Sequence, residues 1–438
     1  MLYICILTMM KNIIIAAFAA WGMCASAQTT GFRNEISVPG KVYMLFGVDN
    51  TLFMEPIVKR WRPYDDIVRF SGDAAYTRRT SRYVTVRPEA GMERRMVVDL
   101  VNTDRFDTLM TDTVTVLVGR KCTGGGEVTA QILGDSYVHG AFFRDALLDK
   151  GYVPGLRLVG LRGVKDADGQ YDEGRGGWTV ARYFEVSKGD ITPYNGFMQP
   201  QDGHRYWGAT AFWKNCFRVE SGLVTGFDTV YNCSRFGRCL SKFDPSTGYL
   251  ADPRRGDMMY DSGRGRYVAY DGRRWRDADV DEAAWRFDYG KYLEMWQLHK
   301  PRFFFMLLGL NDFRDNLHAC FDEWNRRVEQ MVRSYHEAVP GGRFVILLPC
   351  STCGSLDNLP GDFTLRQNAA MWRLRRNIIA TFDRREAEGI YIVDIGAAID
   401  GENGYRRGRD GLQTGNPHPY PNYPAMGVPV AAFMQYYR

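Results

Sequence analysis

The sequence predicts an α/β protein, a three-layer α/β/α domain on a five-stranded parallel sheet, preceded by a small all-β sandwich. Three observations carry this reading. Five short apolar runs at residues 131–134, 156–161, 303–308, 344–349 and 390–395 alternate with stretches of helical apolar spacing. Strands joined by helical crossovers build a parallel sheet covered on both faces. Residues 30–120 instead carry strand-like runs at 41–46, 83–87, 95–101 and 113–118, several alternating at period two between polar turns. A glycine run at 124–126 then marks a flexible joint between the two patterns.

Taken in order, residues 1–27 read as a leader. Lys11 precedes an apolar stretch over 13–23, and Ala25-Ser26-Ala27 offers a small-residue cleavage site before Gln28. The stretch is short for a membrane span, so export to the periplasm or exterior is expected, with no membrane span. The β-sandwich is assigned to 28–122 and the α/β domain to 123–438. Within the latter, residues 139–150, a stripe from Leu317 to Tyr335 with Asn316 as N-cap, residues 363–388 and residues 426–436 read as helices. Residues 185–285 interrupt the sheet with a Gly-, Tyr-, Trp- and Arg-rich insertion, read as ordered loops forming a lid or wall.

Composition excludes more than it identifies. Hydrophobic residues at 45% and charged residues at 24% are those of an ordinary globular chain. Aromatics at 14% fit either a heavy core, the more common case, or a sugar-handling cleft. The net charge of +5 is spread among acidic residues without a nucleic-acid-binding motif, which argues against nucleic acid as partner. After the leader stand Cys122, Cys216, Cys233, Cys239, Cys320, Cys350 and Cys353. The odd count leaves at least one unpaired, and Cys233–Cys239 and Cys350–Cys353 are the nearest candidate disulfides. Cys350-x-x-Cys353 lacks a second pair at matching spacing, so neither metal nor cofactor is expected.

Four features at the predicted strand ends carry chemistry. Gly134-Asp135-Ser136 closes the first strand, Glu173 to Thr179 (Glu-Gly-Arg-Gly-Gly-Trp-Thr) follows the second, Gly309-Leu310-Asn311-Asp312 closes the third, and His418-Pro419 lies near the end of the chain. Acyl transfer needs a hydroxyl nucleophile, a base for its proton and donors for a tetrahedral oxyanion. Ser136 supplies the hydroxyl and an amide, Gly177 a closely approaching N–H, Asn311 a side-chain amide and His418 the base. Singly, each has a plain explanation: a helix-capping serine, a turn glycine or asparagine, a loop histidine. Their coincidence in order argues for a site. His139, three residues after Ser136, is the rival base, expected to point away along its helix.

These blocks resemble the SGNH (GDSL-type) hydrolase family, whose blocks carry Ser, Gly, Asn and His in this order. The resemblance covers about residues 128–438, and the β-domain followed by the Gly-Arg-Gly-Gly-Trp-Thr run is similar to secreted Bacteroidetes-type members, many grouped with carbohydrate esterases. It implies a flavodoxin-like sheet and a metal-independent serine esterase that removes acyl, above all acetyl, groups from an acylated glycan or another small ester. Two other readings stay open: an SGNH-like fold that binds glycan without turnover, and a lipid or thioester hydrolase. The family's Asp three residues before the histidine is here Gly415. Asp410 folding back, a backbone carbonyl, or an impaired site are the alternatives.

Overall fold

The computed structural model describes residues 34–438 apart from 62–63, 90–92, 121–125, 141, 164–168, 190–193, 222, 228–232, 316–319, 351–365, 410 and 412–415. The leader, the glycine joint up to Gly125, Cys122, Cys353, Asn316, Asp410 and Gly415 thus lie outside the described residues. Residues 36–438 cluster as one compact unit.

The N-terminal part is all-β. Its strands are β1 (Lys41–Leu45), β2 (Asn50–Phe53), β3 (Asp66–Gly72), β4 (Tyr76–Arg79), β5 (Tyr83–Val86), β6 (Arg94–Asn102) and β7 (Thr108–Gly119). They form a four-stranded sheet, β1-β7-β6-β3, and a three-stranded sheet, β2-β5-β4. Met44, Phe70, Val84, Val86, Val98, Leu100 and Val116 share one buried cluster. In β3 only Val68 and Phe70 are buried, a two-residue signal too thin to stand out in sequence. One pairing is unusual for such a unit: β1 runs parallel to β7.

The central sheet begins with β8 (Val128–Gly134), followed by the short helices α1 (Ser136–His139) and α2 (Phe142–Leu148), then β9 (Leu156–Leu158) and β10 (Glu173–Gly174). Within the insertion lie β11 (Met198–Gln199), β12 (Arg205–Ala209), α3 (Thr210–Asn215), β13 (Phe217–Glu220), β14 (Leu223–Phe227), α4 (Gly237–Leu240), β15 (Asp257–Asp261), β16 (Arg266–Tyr270), β17 (Trp275–Asp277) and β18 (Arg286–Phe287). The chain continues through α5 (Tyr289–Met295), β19 (Phe303–Leu307), α6 (Leu310–Phe313), α7 (Phe321–Ala338), β20 (Arg343–Leu348), α8 (Arg366–Phe382), β21 (Ile390–Asp394) and α9 (Tyr423–Tyr437).

The sheet is six-stranded rather than five, ordered β10-β8-β19-β20-β21 with β9 also on β8, and every ladder is parallel. The extra strand is the second block itself: Glu173 pairs with Leu133 and Gly174 with Gly134. Two residues carry no periodicity, so sequence pattern cannot reveal this strand. β19 and β21 are buried at every position, as a parallel sheet covered on both faces requires. In α7, Trp324, Val328, Met331 and Tyr335 are buried at the expected spacing, but the described helix begins at Phe321 with Cys320 as its cap.

Two expectations are corrected. The insertion is more than loops, because β12, β15, β16 and β17 form a four-stranded sheet of their own. Its aromatics are core: Tyr206, Trp207, Phe212, Trp213, Tyr267 and Trp285 are buried in the same cluster as the central sheet. Of the candidate disulfides, Cys233–Cys239 does not form, because Cys239 keeps a thiol directed at the Leu161 carbonyl (3.9 Å). Cys350 carries a buried thiol, and its candidate partner Cys353 lies outside the described residues; Cys216 is disulfide-bonded.

Candidate active site

The predicted residues converge at the carboxyl end of β8. The strand stops at Gly134, Asp135 caps α1 by accepting a hydrogen bond from Tyr137 N (3.0 Å), and Ser136 is the first, half-buried residue of that helix. A parallel sheet of this kind leaves its ligand crevice at this strand end.

The second block is brought alongside by the β8–β10 ladder. Gly174 is required by contact: a Cβ there would clash with the backbone amide of His139. Arg175 N bonds the Gly134 carbonyl (2.8 Å) and Trp178 N bonds the Arg175 carbonyl (3.2 Å), which closes a turn around Gly177. Gly177 has φ +76° with nothing within 4 Å of its missing Cβ, so conformation rather than space calls for glycine there.

A buried ionic network fixes this turn. Arg175 and Glu173 pair at 2.6 Å, both fully buried, and Arg175 also donates to the Tyr194 carbonyl (3.0 Å). Glu173 accepts from Leu161 N (2.6 Å) and from the Tyr292 hydroxyl. Asp172 pairs with Arg235 (2.9 Å) and accepts from Gly174 N (2.9 Å). Tyr194 and Arg235 belong to the insertion, which therefore props the second block from behind.

The third block reaches both neighbours. Asn311 Nδ2 donates to the Trp178 carbonyl (3.2 Å) and, at longer range, to Asp135 Oδ2 (3.4 Å). The Asp312 carboxylate accepts from Val180 N (3.0 and 3.2 Å) and so ties α6 to the segment after Gly177. Burial pushes both carboxyls up to about 7; Asp312 also raises Asp135, while the Tyr137 N–H opposes the rise.

The fourth block closes the group. The His418 ring packs against Tyr137, centroids 5.3 Å apart, and the Tyr137 hydroxyl donates to the Pro417 carbonyl (2.7 Å). Contacts thus link Asp135 to Asn311, Asn311 to Trp178 and Tyr137 to His418, each at a predicted residue or its chain neighbour. Asn416, absent from the sequence reading, orients the imidazole. Its Oδ1 accepts from His418 N (3.0 Å) and lies 2.6 Å from His418 Nδ1. Because a backbone N–H can only donate, that atom is the amide oxygen, and Nδ1 must carry the ring proton. Nε2 is then left as an acceptor. Burial, with Arg314 nearby, holds His418 below its ordinary value, so the ring is neutral at neutral pH.

His139 is placed elsewhere. Its Nδ1 faces the Gly174 carbonyl (3.4 Å) and Arg162 (3.2 Å) beneath the second block. Burial and then Arg162 push it down to about 3. Tyr420 is the aromatic that composition alone could not locate: 37% exposed, it stacks on His418 at 5.6 Å.

No family model matches the chain, and no curated protein matches it. Among solved structures, the chain is similar to a carbohydrate esterase family 3 protein from Talaromyces cellulolyticus, at 12% identity and a TM-score of 0.32, covering 69% of this chain and 94% of that one. A mutant acetyl esterase with an acetate ion gives 12% identity and a TM-score of 0.31, over 69% and 93% of the two chains. A putative α-galactosidase/melibiase from Bacteroides fragilis gives 12% and 0.19, over 72% and 52%. Among the described residues, no helix is long and apolar enough to cross a membrane.

Proposed function

We propose that this chain is an exported serine esterase that removes acyl, chiefly acetyl, groups from a carbohydrate. What supports the reading is the set of contacts that ties the four blocks together at the end of β8: Asn311 on Asp135 and on the Trp178 carbonyl, the His418 ring on Tyr137, and His418 Nδ1 on Asn416 Oδ1. In the proposed reaction the Ser136 hydroxyl attacks the ester carbonyl while His418 Nε2 takes its proton. The tetrahedral oxyanion is met by the amides of Ser136 and Gly177 and by Asn311. Collapse expels the sugar alkoxide, which receives the proton from His418, and leaves an acyl-Ser136. Water, deprotonated by His418, then releases the acid and restores the serine. The leader at 1–27 supports action outside the cytoplasm, and the β-domain is read as a scaffold.

Two observations favour a second reading, glycan binding without turnover. Asn311 spends its amide on protein acceptors, and the partner of His418 is a neutral amide rather than a carboxylate. Hydrolysis of p-nitrophenyl acetate by the chain from Gln28 to Arg438, beside Ser136→Ala and His418→Ala, separates the two. The esterase reading expects turnover in the parent and a loss of about a thousandfold or more in each variant. Equal background rates in all three would sink it.

A further inference from the structure

His418 and Tyr420 also form one wall of a cavity of about 720 Å³ whose remaining charged lining is cationic: Arg314 from the end of α6, and Arg406, Arg407 and Arg409 from the loop after β21. None of the described lining residues is acidic. We propose that these arginines form a subsite for the negative groups of a polyanionic glycan, carboxylate or sulfate, so that the ester cleaved is carried on an acidic polysaccharide. The ester rests on the esterase reading above; the anion site does not.

The arrangement is hard to explain as fold stabilisation. Like charges gathered at one rim repel one another, and Arg407 and Arg409 are exposed, with no core to support. Arg407 is oriented by two backbone carbonyls, those of Gly411 (2.8 Å) and Glu402 (2.7 Å), which fix the guanidinium while leaving its charge unneutralised. The Glu402 carboxylate is paired with Arg82 (2.8 Å). Arg314 shares its charge with Asp315 (2.8 Å). An acyl ester is itself neutral, so chemistry at Ser136 does not call for these cations. Guanidinium forks match carboxylate and sulfate oxygens in pairs. The exposed ring of Tyr420 beside them offers a face for a sugar.

The test is calorimetric binding of three unesterified oligosaccharides to the chain from Gln28: an oligogalacturonate, a sulfated oligosaccharide and a neutral xylo-oligosaccharide. At least one anionic ligand should bind ten times more tightly than the neutral one, and the two anionic arms say which group is read. That advantage should fall about tenfold in Arg407→Gln/Arg409→Gln, the effect of losing one charge-assisted contact of ~1.4 kcal/mol. It should also weaken in about 0.5 M salt. Arg273→Gln, an exposed arginine on the insertion, is the control and should leave binding unchanged. Equal binding of all three sugars, an advantage indifferent to the double substitution, or tighter binding of a single-stranded oligonucleotide of equal charge would overturn the proposal. Anion binding without ester turnover would retain the subsite and sink the esterase; turnover of acetylated neutral and acidic oligosaccharides at equal rates would do the reverse.

Discussion

At the scale of the residue, His418 has an unusual partner. Asn416 selects the Nδ1–H tautomer as a carboxylate would, but brings no charge to hold an imidazolium. Asn416→Asp should therefore raise the His418 midpoint, by about 1–3 pH units, as an opposite charge at hydrogen-bond range does. An NMR titration of the ring reads this directly. With Asn416 in place, kcat/KM should rise to its plateau with a midpoint below 6.5, because burial and Arg314 disfavour the protonated ring. Asp135 and Asp312 act in the opposite direction on stability. Their folded values near 7 lie above the ordinary 3.8, so the native state holds protons that the unfolded chain has released. Their contribution is fully present below pH 3.8 and is lost as pH rises to 7, at about 1.4 kcal/mol per pH unit for each group. Asp312→Asn should flatten that part of the profile, which denaturant midpoints at pH 4, 5.5 and 7 would record.

At the scale of the element, the two-residue strand β10 and the ion pair behind it matter more than any long helix. Arg175→Ala leaves Glu173 buried and uncompensated, at a cost of about 3–5 kcal/mol. Denaturant unfolding should register that loss, and ester turnover should fall with it because the Gly177 turn loses its support. The parallel strands were legible in sequence because burial on both faces makes them continuous apolar runs, as in residues 303–307. Ser136 after β8, Gly177 after the second block and Asn311 after β19 stand out in sequence as residue types following strands, whereas His418 lies far beyond the end of β21. What was not legible is what tertiary contact alone creates: a strand of two residues, Asn416 in place of an aspartate, and Asp135 and Asp312 with displaced titrations. The insertion misled for a similar reason. Its Tyr and Trp residues look like a binding surface in composition, yet Trp207, Trp213 and Trp285 are buried.

At the scale of the whole molecule, the all-β part and the α/β part share a helix. α9 is apolar around much of its circumference because it packs on β1 and β7 of the one and on α2 and β21 of the other. That helix begins five residues after His418, with buried Tyr423 packed 6.2 Å from Tyr137. Arg375 adds a second tie, donating to the Ser37 carbonyl (2.8 Å) while paired with Asp394. A chain starting at Gly126 should therefore lose solubility and esterase activity together, which sedimentation after expression would reveal. Nucleophilic Ser136 is read most simply by labelling the chain from Gln28 with a fluorophosphonate, followed by peptide mass mapping. One stoichiometric adduct on Ser136 is expected, absent from Ser136→Ala and strongly slowed in His418→Ala. No adduct, or one on another serine, would contradict a nucleophilic Ser136.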